Sequence, residues 1–573
     1  MATTVAFNSC VDDEYDLSED IDLEVSVGGN LTLPASSTEV LTLDQILDLK
    51  PDASIKAVEV EGDYGLSVGD YVLLQDGKSD PASFTVDRVD LTGLTGSSST
   101  FDLPQFYVPS FLPEGQDRIT REVTSAVNSI TISDDNITKE VVAISKAEMA
   151  VDFTLNVEYK SANYSGSAII ENGYVIEFDP SWTLEIVDNA TAQFLTVDDN
   201  HIIRFTKAYT ISPEKPLFAR IRLSEVDFSK AQDGQGLYAP GHFRMESEVE
   251  SRGEISILLS ELMGSVADVD LITLTNIENA SILSVTGKVD PKIDIDPTSF
   301  SISDIPDFLS DNENNLDIDN PQINFTVNNN SPLTLDLSGV LTSYKEDAEL
   351  TSVSISGIVV EANGSTEIVI SRLPINKEGV ENVVVENLSE LISTIPDEIS
   401  FHDLNCKARQ NDVTFVLGST FTFDAKYEAI IPLAFSSQMR LHYTETVDDW
   451  DVDLEDYNFS EVLLSFDAVS SLPLTMTPEV IALDREGNHM SNIIVNIEND
   501  IKPGTLATPS TTPLSISLKS TGKSIEGLDG IYIIFDAVAA EGFIGENLNK
   551  NQSLRFDNIK ITLVDGVLIN LND

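Results

Sequence analysis

Two runs gather the carboxylates that could do chemistry in this chain. The first, "ETVDDWDVDLEDYNFSE" (445–461), places Asp448, Asp449, Asp451, Asp453, Glu455 and Asp456 around Trp450 and Tyr457. The second, "SDNENNLDIDNP" (310–321), carries Asp311, Glu313, Asp317 and Asp319. Calcium takes six to eight oxygen ligands, and loops rich in Asp and Asn supply them. Neither run has the D-x-[DN]-x-[DN]-G loop that wraps an ion. Alternation puts Asp449, Asp451, Asp453 and Glu455 on one strand face and Asp448 and Asp456 on the other. A row of carboxylates along a strand lines a surface and guards an edge against pairing. No metal site is therefore expected. Trp450 and Tyr457 offer another chemistry: an exposed aromatic face on which a sugar ring stacks, with polar groups beside it. They are the ligand-binding candidates. The other tryptophan, Trp182 in "FDPSWTLEI", reads as packing between sheets.

Catalytic patterns are missing. The five histidines (His201, His242, His402, His442 and His489) form no H-E-x-x-H pair. There is no G-x-S-x-G elbow and no Walker loop, and "GQGLYAPG" (234–241) misses the dinucleotide spacing by one residue. Paired carboxylates for glycoside chemistry cannot be singled out among 96 acidic residues. No catalytic residue and no cofactor is expected, and the chain reads as non-enzymatic.

Only 33 Lys and Arg oppose those 96 acids, a formal charge of −63. Such a surface repels nucleic acid and anionic headgroups, so membrane attachment would need a covalent anchor. No apolar run is long enough for a membrane helix. Two cysteines in 573 residues make no disulfide framework. Cys406, in "FHDLNCKARQ", is expected to be a small buried hydrophobe. Cys10 differs: it follows the apolar "MATTVAF" and precedes the acidic "VDDEYD". "FNSC" resembles the relaxed lipobox of secreted lipoproteins from Bacteroidota, and the acids after it resemble the export signal that sends such proteins to the outer face of the outer membrane. The resemblance implies lipidation of Cys10, more than one acyl chain giving stable anchoring.

The elements are β-strands. "SITIS", "DFTLNVEYK", "HIIRFT", "INFTV", "VSISGIVVEA", "LLSFDAV" and "IYIIF" alternate or run apolar for strand lengths, and Gly with Asp or Asn punctuates them. This predicts an all-β protein of several stacked β-sandwich, immunoglobulin-like domains with a few short helices, at "LTLDQILDL" (42–49), "SELMGSV" and "NLSELISTI". The expected segments are 1–10 as residual signal and lipobox, 11–25 as an acidic tether, and β domains at 26–115, 116–295, 296–400 and 401–573. Segments 323–343 and 464–484 echo each other without gaps: Phe325 matches Phe466, Pro332 matches Pro473, and Leu333-Thr334 matches Leu474-Thr475.

"YDLSEDID", "VTGKVDPKI", "DIPDFLSDNENNLDIDNPQINFTV", "YEAIIPLAF" and "LRFDNIKITLVDGVLINLND" together resemble large Bacteroides-type outer-membrane surface lipoproteins of unassigned activity. That resemblance implies a lipid-anchored place on the extracellular face and β architecture, and no catalytic residues. The expected function is a non-catalytic interaction or adhesion module with a surface-protein partner. The alternatives are a glycan-binding lipoprotein accessory to polysaccharide uptake and a cell-surface hydrolase of unrecognised type.

Overall fold

The computed structural model describes residues 24–570 apart from short breaks, the longest at 35–39, 108–113, 262–265 and 448–458. Strands dominate it. Only one α-helix occurs among the described residues, Leu43–Leu47, within the expected helical stretch. Its start is fixed by Gln45, whose Oε1 accepts from the Thr42 N–H at 2.9 Å and the Thr42 hydroxyl at 3.0 Å. The other two helical segments shrink to 3₁₀ turns at Leu259–Glu261 and Leu388–Ile392.

The strands make three sandwiches, each with two main sheets. Six strands build the middle one in chain order: Thr298–Ser301, Gln322–Asn329, Leu335–Lys345, Gly364–Ser371, Glu398–Ala408 and Ser419–Pro432. The second pairs with the fourth and the sixth in one sheet. In the other sheet the fifth pairs with the first and the third. The terminal sandwich repeats this pattern with Arg440–Val447, Glu461–Ser470, Leu474–Leu483, Ser510–Ser520, Gly530–Ala539 and Ser553–Val564. So does the inner one, with Asn128–Asp134, Val141–Lys160, the pair Ala168–Ile170 and Val175–Glu177, Leu217–Asp227, His242–Leu258 and Asp270–Val289. One six-strand plan is therefore used three times. The echoed segments 323–343 and 464–484 are its second strand, loop and third strand, which carry the chain from one sheet to the other.

Each sixth strand also takes a partner from the start of the chain. Leu31–Pro34 pairs with Ser553–Val564, Tyr71–Lys78 with Ser419–Pro432, and Ser97–Asp102 with Asp270–Val289. The N-terminal arm thus visits the terminal, middle and inner sandwiches in turn, and the remaining chain completes them in the reverse order. Strand pairing crosses the expected boundaries accordingly. Residues 26–115 supply strands to all three sandwiches, and 400/401 falls inside Glu398–Ala408. Local periodicity marks strands but carries no information on a partner hundreds of residues away.

Alternation decides what each sheet buries. Along Val141–Lys160, Ala147, Met149, Val151, Phe153, Leu155, Val157 and Tyr159 are all buried. Trp182 is 1 % exposed, its ring 6.2 Å from Phe178, so it is core, as its strand context implied. In the middle sandwich Phe325 meets Phe401 at 6.0 Å and Phe84 meets Phe421 at 5.2 Å. One polar joint ties the middle sandwich to the terminal one, and one ion pair braces the middle sandwich itself. Asp70 accepts from Asn549 Nδ2 at 2.9 Å, and Arg372 Nη1 pairs with Asp317 at 2.8 Å while also reaching the Ile318 carbonyl.

Candidate functional site

The terminal sandwich encloses a cavity of about 760 Å³. Period two and one bulge build its walls. Leu464 and Phe466 face inward from the second strand; Leu474, Met476 and Val480 from the third; Leu514 and Ile516 from the fourth. Ile531, Ile533, Phe535 and Ala537 follow on the fifth. On the sixth strand Leu554 and Phe556 point in, then the register shifts and Asn558 takes a positive φ of 55°. That shift resets the alternation, so the next inward residue is Ile559. Leu43 and Leu47 of the helix, with Leu309, Leu433 and Leu548, line the end nearest the middle sandwich.

The space is a property of this copy of the plan. Between the sheets of the middle sandwich the corresponding cavity is about 70 Å³. Aromatic side chains occupy the inner and middle cores, whereas most of the terminal lining is Leu, Ile, Val and Met. Phe466 and Phe556 touch edge to face at 5.0 Å and leave the rest of the gap unfilled. The consequence shows in exposure: Leu464, Phe466, Ile533 and Phe535 are only half-buried, while the inner sandwich's Val151, Phe153 and Leu155 are fully buried. The volume lies inside the range of about 300–1,000 Å³ that small-molecule sites use.

Polar groups enter the lining from Arg440–Val447, an outer strand of the three-stranded sheet. Tyr443 and Glu445 share the inward face of Arg440–Val447, and the Tyr443 hydroxyl donates to Glu445 Oε2 at 2.7 Å. Burial, reinforced by that carboxylate, pushes the Tyr443 hydroxyl up to about 12, so it stays protonated and directed at Glu445. Gln45 is the third polar liner, and its carbonyl is engaged by the helix cap. Among the described residues, none that lines the cavity is Lys, Arg or His.

The residues singled out from sequence divide into those outside the described residues and those that are placed. Cys10, Trp450 and Tyr457 fall outside the described residues, as do Asp448, Asp449, Asp451, Asp453, Glu455 and Asp456. The second acidic run disperses: Asp317 is tied to Arg372, and Asp311 Oδ1 accepts from the Glu313 N–H at 2.8 Å. No group of three or more His, Cys, Asp or Glu among the described residues is arranged to hold a metal ion. Cys406 is half-buried in its sheet, where burial drives its thiol up to about 12. One arrangement escaped the sequence reading. Asp403 Oδ2 lies 3.2 Å from His402 Nδ1, and His402 Nε2 lies 2.8 Å from Thr342 Oγ1, in the order of a hydrolytic triad. Thr342 is 1 % exposed and its hydroxyl also meets Ser352 Oγ at 2.8 Å, so no substrate reaches it. The chain of bonds braces three adjacent strands.

No family model matches the chain, and no curated protein does. Among solved structures, a Parabacteroides distasonis protein described as secreted is 16% identical, covers 49% of this chain and 90% of its own, and has a TM-score of 0.37. A triple jelly roll protein of an archaeal virus is 12% identical over 84% of this chain and 91% of its own, with a TM-score of 0.12. Neither superposes closely enough to bear on function. No helix among the described residues is long and apolar enough to cross a membrane.

Proposed function

We propose that this is a non-catalytic binding protein of the bacterial cell surface, anchored through lipid on Cys10, whose terminal sandwich holds an apolar small molecule. The observation that carries the reading is the 760 Å³ cavity walled by aliphatic side chains in one of three sandwiches of the same plan. Each buried CH₂ of a ligand contributes about 0.8 kcal/mol, so a chain of a dozen carbons gains enough to offset its ordering. The anchor is supported by the apolar-then-acidic context of Cys10, and the interaction role by the sequence's lack of a reaction. The glycan alternative rests on Trp450 and Tyr457 and keeps its own test, a glycan array compared with Trp450→Ala.

Diphenylhexatriene, a neutral rod-shaped fluorophore, tests the cavity reading on delipidated full-length protein. Saturable binding of about one probe per chain is expected, and Ile533→Trp, which fills the space from the central strand, should abolish it. Probe fluorescence that does not saturate, or that Ile533→Trp leaves unchanged, overturns the reading.

A further inference from the structure

Resting on the lipid anchor proposed for Cys10, we infer that the chain stands on the membrane as a rod, with the cavity-bearing terminal sandwich at the bilayer and the inner sandwich presented farthest out. Strand pairing gives the order of the three bodies, and the register of the first strands gives the end at which the anchor attaches.

The middle sandwich meets its neighbours at opposite ends of one strand. Just past the C-terminal end of Ser419–Pro432, the Leu433 carbonyl accepts from the Leu548 N–H of the terminal sandwich at 2.9 Å. Just before the N-terminal end, the Leu417 N–H donates to the Leu283 carbonyl of the inner sandwich at 2.9 Å, and Val413–Val416 pairs with Asp270–Val289. The 14 residues of that strand hold the two joints roughly 45 Å apart. From Leu283 the inner sandwich runs on to the far end of Asp270–Val289, where Asp270 faces Lys160, roughly another 40 Å away.

The terminal sandwich has two distinct ends as well. Leu433, Leu548 and Leu554 line its cavity beside the middle sandwich. At the opposite end stand Val447, Leu483, Gly530 and Val564. There Phe459, Ala482, Leu518, Ile525 and Leu528 close the sandwich with a small core of their own. The N-terminal arm enters at this end. Leu31–Pro34 pairs with Ser553–Val564 as Leu31↔Leu563, and Glu24–Val27 pairs with Val567–Asn570 as Glu24↔Asn570, in the same register. The ladder therefore runs out past the end of the sandwich and carries Glu24 away from the middle one. From Cys10 to Glu24 the chain spans at most roughly 50 Å. That reach is short beside the length of the rod, so the lipid holds this end, and no other, near the bilayer.

Charge keeps the rest upright. A chain of net charge −63 is repelled by anionic headgroups, while the anchor restrains one end alone. An apolar molecule leaving the bilayer is then nearest the cavity, and a macromolecular partner arriving from outside meets the inner sandwich first.

Energy transfer to a headgroup acceptor reads the two heights on lipidated full-length protein, in vesicles of phosphatidylcholine with about one-fifth phosphatidylglycerol. Lipid blocks Cys10 and burial keeps the Cys406 thiol protonated, so a thiol dye goes to an introduced cysteine. Glu486→Cys labels the exposed Asp484–Gly487 turn at the anchored end, and Ala162→Cys labels an exposed position at the outer end of the inner sandwich. Transfer from Glu486→Cys should exceed that from Ala162→Cys about fivefold or more, since most of the rod's length separates them. Equal transfer from the two sites, or greater transfer from Ala162→Cys, overturns the orientation and leaves the anchor standing. Failure of the lipidated protein to float with the vesicles, as Cys10→Ala should fail, removes the anchor and the orientation with it.

Discussion

Replacing Ala537 by Leu adds three carbons to the middle of the cavity wall. Ala537 is 6 % exposed on the central strand of its sheet, between Leu441 and Met476, and its side chain points into the space. If that space is unfilled by protein, three new carbons enter a vacancy, each contributing about 0.8 kcal/mol. The delipidated protein should gain roughly 2 kcal/mol, read as a rise of about 4–8 °C in the transition of the terminal sandwich by scanning calorimetry. The control is Ala219→Leu in the inner sandwich. Ala219 is fully buried opposite Leu155 in a close-packed core, and the same added carbons should cost about 1–3 kcal/mol there. Two identical substitutions in two sandwiches of one plan are thus expected to have opposite signs. A destabilised Ala537→Leu, comparable with Ala219→Leu, would falsify the claim that the terminal core is hollow.

Arg372→Ala leaves the buried Asp317 carboxylate without its cation, and a loss of about 3 kcal/mol in urea unfolding is expected; under 1 kcal/mol would mean that water already serves the site. Glu261 accepts from the Ser167 N–H and hydroxyl and from Tyr164, which holds its carboxyl below the usual range. A lowered pKa stabilises above the unfolded value and is lost as pH falls through the folded one, so Glu261→Gln should cost about 1–2 kcal/mol at pH 7 and progressively less as pH falls through the folded value. Cys406 should resist a thiol reagent at pH 8 in the native state and react at once in denaturant, because burial keeps it protonated. Cys10→Ala should move the protein from the membrane to the soluble fraction, and a variant that stays membrane-bound refutes the anchor.

Class was legible because the signal for it is local. Alternation along "DFTLNVEYK" or "IYIIF" and the turn residues between strands establish an all-β fold without reference to partners. The echo around Phe325 and Phe466 was readable too, as the one place where two copies of the plan kept the same loop chemistry. The nesting was not, because a strand such as Leu31–Pro34 is written identically whether its neighbour is 10 residues or 530 residues away. Nor was the cavity. Leu464, Ile533 and Phe535 have the alternation of packed core residues, and whether facing side chains meet depends on the spacing of two sheets, which no short window encodes. Nothing in the spacing of Tyr443 and Glu445 marks them in the sequence. Their roles follow from the cavity behind them.

The return of the N-terminal arm to every sandwich sets a timetable for folding. As the chain emerges, Leu31–Pro34, Tyr71–Lys78 and Ser97–Asp102 appear first, and each must wait for the sixth strand of its own sandwich. Of the three, Ser97–Asp102 is relieved earliest, when Asp270–Val289 arrives, and Leu31–Pro34 waits longest, for Ser553–Val564. Pairings of such long range are slow to close and leave edges open to wrong partners in the interval. A carrier or chaperone that holds the chain unfolded until Ser553–Val564 is delivered would suit this order, and removal of Ser553–Val564 would strand the distant Leu31–Pro34.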